Sequence, residues 1–92
     1  MYIEFSLPTG AAAQSARHAN MIINNELEAW SEKYNIKYQT KIIKYTKRVT
    51  FDDERFYSVF AMTWNPERKY TALGRWRIVS DLNNKTEFDS RV

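Results

Sequence analysis

Residues 36–51 read Ile36-Lys37-Tyr38-Gln39-Thr40-Lys41-Ile42-Ile43-Lys44-Tyr45-Thr46-Lys47-Arg48-Val49-Thr50-Phe51. Apolar and polar side chains alternate here as they do in a half-buried strand. The alternation slips phase once. Ile36, Tyr38, Thr40 and Ile42 fall on one side of a regular pleat, whereas Ile43, Tyr45, Val49 and Phe51 fall on the other. A one-residue bulge at Ile42-Ile43 would reconcile the halves, because an extra residue restores the facing. Ile36, Tyr38, Ile42, Tyr45, Val49 and Phe51 then point inward. Lys37, Gln39, Lys41, Lys44, Thr46, Arg48 and Thr50 point outward. Lys47 is left in register with the inward set and would have to snorkel at the sheet's edge. If it does not, the bulge gives way to two shorter strands.

Upstream, Ile3, Phe5 and Leu7 alternate with Tyr2, Glu4 and Ser6, which predicts a short strand broken by Pro8-Thr9-Gly10. Thr9 is a suitable N-cap for a long helix over about residues 10–34. Ala12, Ala16, Ala19, Ile23, Leu27, Trp30 and Tyr34 recur at three- and four-residue steps and form its apolar stripe. Asn35 can take the left-handed conformation that ends a helix.

Downstream, Asp52-Asp53 predicts a turn. Residues 54–65 then read as a strand, with Phe56, Phe60, Met62 and Trp64 on one face and Arg55, Tyr57, Val59, Ala61 and Thr63 on the other. Both faces are largely apolar, as in a central strand. Residues 65–69 form a polar turn. A last strand covers residues 70–80, with Trp76 and Ile78 inward, Arg75 and Arg77 outward, and Gly74 marking a bend. The expected fold is α+β: a two-layer sandwich of order β-α-β-β-β, one long helix packed on a mostly antiparallel sheet with a three-stranded meander. Residues 1–81 form the single domain and residues 82–92 a partly ordered polar tail.

The 92 residues allow one small core, which the 15% of aromatic residues enlarges. Cysteine is absent, which favours a reducing compartment over a disulfide-stapled secreted domain. No segment reads as a secretory signal or membrane span, so the expectation is a cytoplasmic protein without a membrane partner. The net charge of +3 hides an asymmetry: residues 33–77 carry +7 and the remainder −4. A basic middle can attract an anionic partner or complement the chain's own acidic parts.

That charge defines the candidate site. In the expected meander, Lys37, Lys41, Lys44 and Arg48 flank Arg55 and Tyr57, with Arg75 and Arg77 beyond them, on the face the helix leaves bare. Tyr57, Val59 and Ala61 ringed by Arg would suit a protein partner or self-association. The same cations around one aromatic would suit single-stranded nucleic acid. A solvated face with edge lysines that deter aggregation is the plain alternative. The outer side of the long helix, around His18 and Met21, is a weaker candidate surface.

Chemistry is poorly supplied. His18 is the one histidine and has no carboxylate at helical spacing. Asp52, Asp53 and Glu54 could meet a divalent ion, but consecutive acids more commonly start a turn. The sequence therefore points to a small non-enzymatic binding or adaptor protein without a cofactor. It acts on a protein partner or by self-association, with nucleic-acid binding as the alternative. In its early strand, small size, lack of cysteine and aromatic load the chain is similar to small accessory proteins of bacteriophages. That resemblance implies a binder that modifies a host process.

Overall fold

The fold is described from a computed structural model for residues 1–8, 13–66 and 70–80. The order of elements is β1 (Tyr2–Ser6), α1 (Ala13–Tyr34), β2 (Tyr38–Ile43), β3 (Thr46–Phe51), α2 (Arg55–Thr63), α3 (Thr71–Gly74) and β4 (Trp76–Val79). The four strands form one antiparallel sheet of order β2-β3-β1-β4. This is the split βαβ, ferredoxin-like order, in which β1 lies inside the sheet between β3 and β4. The fold is α+β, with a second helix where the sequence predicts the middle of a meander.

The long helix forms as its stripe predicts. Ala19, Ile23, Leu27 and Trp30 are buried, and Ala16 and Tyr34 pack against the core as partly buried neighbours. Asn35 ends it with φ 53°, the left-handed conformation that asparagine tolerates. The expected Thr9 cap and Ala12 lie outside the described residues, as do most of the polar turn over 65–69 and the tail over 82–92.

The phase slip is a hairpin and not a bulge. Ile43 pairs with Thr46 across the two-residue loop Lys44-Tyr45, and the β2–β3 ladder then runs unbroken to Tyr38 opposite Phe51. Lys44 takes φ 55°, the positive value that two-residue hairpin loops require. The Thr46 hydroxyl donates to the Ile43 carbonyl at 2.7 Å, bracing the loop. Reversing direction at Lys44 restores the facing that a bulge was invoked to restore. Ile36, Val49 and Phe51 are buried as expected, whereas Ile42 and Tyr45 remain about half exposed at 50% and 48%.

The predicted strand over residues 54–65 is α2. The acidic run starts a helix: Asp53 Oδ1 accepts the Arg55 backbone N–H at 2.9 Å, and its carboxylate pairs with the Arg55 guanidinium at 2.7 Å. That guanidinium, hydrogen-bonded to the carboxylate, holds the Asp53 carboxyl below its usual range. Tyr57 and Phe60 are buried one turn apart, whereas Met62 is 84% exposed. The last strand is shorter than expected, because Thr71–Gly74 form a helical turn. Trp76 and Ile78 nevertheless face the core and Arg77 faces away.

Both longer helices pack on one side of the sheet. Phe60 joins them, with its ring 5.3 Å from Trp30 of α1, 6.3 Å from Phe5 of β1 and 4.9 Å from Trp76 of β4. The Tyr57 hydroxyl ties α2 to the end of β3 and to the residue before β1, accepting the Phe51 N–H at 3.1 Å and donating to the Met1 carbonyl at 2.8 Å. Tyr57→Phe takes that partner from the buried Phe51 N–H and from the partly buried Met1 end of the chain. It is expected to cost about 1–3 kcal/mol of unfolding free energy in a urea titration; an unchanged midpoint would mean that water replaces the hydroxyl.

Candidate functional site: the outer face of the sheet

The ladder registers decide which side chains share the face away from the helices. Lys41 stands opposite Arg48, Arg48 opposite Glu4, and Glu4 opposite Arg77. Directly opposed residues project to the same side. Lys41, Arg48, Glu4 and Arg77 therefore form one row across all four strands, about 14 Å long at the usual strand spacing. Tyr2, Gln39 and Thr50 lie beside the row on β1, β2 and β3 and, with Lys41 and Arg48, line a shallow depression.

The charges in the row are unequally satisfied. Arg77 pairs with Glu4, whose side chain is 14% exposed, through its Nε and a terminal nitrogen, both at 3.1 Å. Arg48 lies over the Tyr2 ring, its guanidinium carbon 4.4 Å from the centroid, a cation–π arrangement. The Arg48 Nε is buried without a hydrogen-bond partner among the described residues. Lys41 is exposed, directly opposite Arg48. Like charges opposed across a ladder repel, and an anion above the pair would relieve both.

Of the sequence-derived site, the structure brings together Lys41, Arg48 and Arg77. Lys37 precedes β2, Lys44 sits in the hairpin loop and Arg75 precedes β4, so these three lie around the face and not in its central row. Arg55 and Tyr57 do not belong to it. Both are on α2, whose core side packs against the opposite face of the sheet; Tyr57 is buried at 3% exposure and Arg55 is paired with Asp53. The apolar patch expected from Tyr57, Val59 and Ala61 falls with the strand that was to carry it. Tyr2 and Glu4 complete the face and were not singled out from the sequence. The alternation of β1 already turned them outward, but only the β1–β3 pairing places them beside Arg48.

Other features offer less. His18 packs edge-on to Tyr70 at 6.4 Å. Among the described residues no three metal-ligating side chains gather, and no helix is long and apolar enough to cross a membrane. The chain matches no protein family, no curated protein and no solved structure.

Proposed function

We propose that this protein is a non-enzymatic binding module that captures an acidic protein surface on the outer face of its sheet. The observation that carries the reading is the Lys41–Arg48 pair: two cations opposed on a face that no described element covers. A carboxylate-bearing surface would offset their repulsion. Arg77 contributes less, because Glu4 already engages it.

Nucleic acid is the second reading, favoured by the same line of cations. Sheets of this order bind bases by stacking them on aromatic side chains of the sheet. Here Tyr2 is the aromatic that the central strands turn to the outer face, and its ring is already covered by Arg48. Glu4 in the middle of the row would also oppose phosphate. Both features weigh toward protein.

The test uses polyglutamate and oligo-dT as probes over a salt series. The first reading expects polyglutamate to bind, and the pair Lys41→Glu with Arg48→Gln to weaken it about tenfold, some 1.4 kcal/mol. Polyglutamate affinity that ignores these changes would sink it. Tighter binding of oligo-dT, falling steeply with salt as phosphate contacts demand, would move the assignment to nucleic acid.

A further inference from the structure

The sheet has an open edge at β2 whose exposed backbone groups can be identified one by one. The Leu7 N–H donates to the Tyr45 carbonyl at 2.7 Å. In an antiparallel ladder, alternate residues bond to alternate sides, so the odd-numbered residues of β3 face β1 and the even-numbered ones face β2. Thr46, Arg48 and Thr50 therefore bond to their partners Ile43, Lys41 and Gln39. Tyr38, Thr40 and Ile42 are left with their N–H and C=O groups directed out of the sheet. Gln39, Thr40, Lys41 and Ile42 are all exposed, so nothing among the described residues shields this edge. It carries no proline and no bulge, two of the usual devices that blunt an edge. Its protection is Lys41, with Lys37 and Lys44 at the ends.

We propose that β2 pairs antiparallel with β2 of a second copy, about a twofold axis through Thr40, joining two sheets into one of eight strands. The register follows from two conditions. The outward-directed residues must face one another, and no lysine may oppose a lysine. With the axis through Thr40, Thr40 meets Thr40 of the partner subunit, and Tyr38 meets Ile42 of the partner subunit in both directions. Every outward backbone group is then paired, and an aromatic packs on a β-branched side chain, a favourable cross-strand combination. Lys41 lies beside Gln39 of the partner subunit, and Lys37 beside Ile43 of the partner subunit.

The neighbouring registers fail. Sliding the centre to Lys41 sets Lys41 against Lys41 of the partner subunit and leaves Tyr38 unpaired. Sliding it to Gln39 sets Lys37 against Lys41 of the partner subunit and leaves Ile42 unpaired. The self-complementarity is therefore specific to one alignment, and an isologous contact of this kind closes as a dimer. The axis stands perpendicular to the sheet. Both helical layers thus lie on one side, and the two rows of Lys41, Arg48 and Arg77 share the other.

A single strand pair is a small contact, so the dimer should dissociate with a constant on the order of 0.1 mM. Sedimentation equilibrium at about 0.5 mM should then show mostly dimer, and at about 10 µM mostly monomer. Thr40→Lys places like charges on the axis and should yield a monomer at both concentrations with unchanged circular dichroism. Gln39→Glu is the decisive variant. It sets a carboxylate against Lys41 of the partner subunit twice per dimer and should tighten association about two- to tenfold, consistent with two cross-strand ion pairs. Neither neighbouring register brings those residues together. A monomeric protein at 0.5 mM, a Thr40→Lys dimer, or a Gln39→Glu variant no tighter than the parent would each overturn the proposal. The pairing is made by the backbone edge of β2 and needs no anion on the outer face, so a monomeric parent protein would leave the polyglutamate result standing, and a failure of polyglutamate to bind would leave the sedimentation result standing.

Discussion

Phe60→Ala is expected to remove about 3–5 kcal/mol of unfolding free energy, the usual loss when a fully enclosed aromatic is truncated in a core that cannot collapse around the cavity. Phe60 is fully buried and is the ring where the layers meet. It stacks on Trp64 at 4.8 Å, meets Trp76 and Trp30 edge-on, and lies 6.2 Å from Phe51 and 6.3 Å from Phe5. Each such pair adds about 0.5–1.5 kcal/mol beyond area burial, and the side chains around it belong to α1, β1, β3, β4 and the end of α2. Small domains hold roughly 5–15 kcal/mol in all, so the melting temperature should fall by more than about 15 °C. All three tryptophans of the chain border Phe60, so the near-ultraviolet dichroism should weaken with it. Met62→Ala is the control. In a strand, Met62 and Phe60 would share a face and both changes would hurt. In α2, Met62 is 84% exposed and should shift stability by no more than about 0.5 kcal/mol. Comparable losses at the two positions would restore the strand.

That contrast explains what the sequence conceals. Residues 56–64 are apolar at both periods: Phe56, Phe60, Met62 and Trp64 satisfy a strand, and Phe56, Tyr57, Val59, Phe60 and Thr63 satisfy a helix. Phe, Tyr, Val and Thr favour strands intrinsically, so composition pushes the reading toward the wrong element. The signal for α2 is local. Asp53 stands two residues before Arg55, placed to accept its N–H as the helix begins. The hairpin was hidden for a related reason. Lys44-Tyr45 lacks the Gly, Asn or Asp that marks two-residue loops, and a lysine at positive φ is uncommon. By contrast, β1 and α1 were readable because each shows a single period with little competition.

The candidate face was legible in part, and the division is physical. Lys41, Arg48 and Arg77 lie on strands where polar and apolar residues alternate, and period two sends them outward whatever the topology. Which strands adjoin is a long-range property. The insertion of β1 between β3 and β4 brings Tyr2 and Glu4 into the row, and no local pattern encodes it. Tyr57 was misplaced together with its element. It anchors the core through its hydroxyl and reaches no partner outside it.

Lys47 is the buried charged side chain among the described residues. The residue is 2% exposed, between Phe5 and Ile42 on the helix-facing side, and its ammonium donates to Asn20 Oδ1 of α1 at 2.8 Å. Asn20 is itself only half buried. Burial lowers the Lys47 ammonium's pKa below its ordinary value of 10.5. Between that lowered value and 10.5 the unfolded chain binds more protons than the folded one, so this group's destabilising contribution fades as pH rises through the window and is complete below it. Two results follow at neutral pH. Asn20→Ala should cost about 2–3 kcal/mol, because it leaves an enclosed charged donor without an acceptor. Lys47→Met keeps the volume, removes the charge and should gain about 1–2 kcal/mol, as replacing buried charge by apolar bulk often does. Their combination carries the argument: with methionine at 47, Asn20→Ala should cost little, giving a coupling of about 2 kcal/mol in the double-mutant cycle. Measured from pH 7 toward pH 10, the advantage of Lys47→Met over the parent should shrink, and groups common to both proteins cancel in that difference. Additive single losses, or an advantage that grows with pH, would show that the ammonium reaches water and that Asn20 is incidental to it.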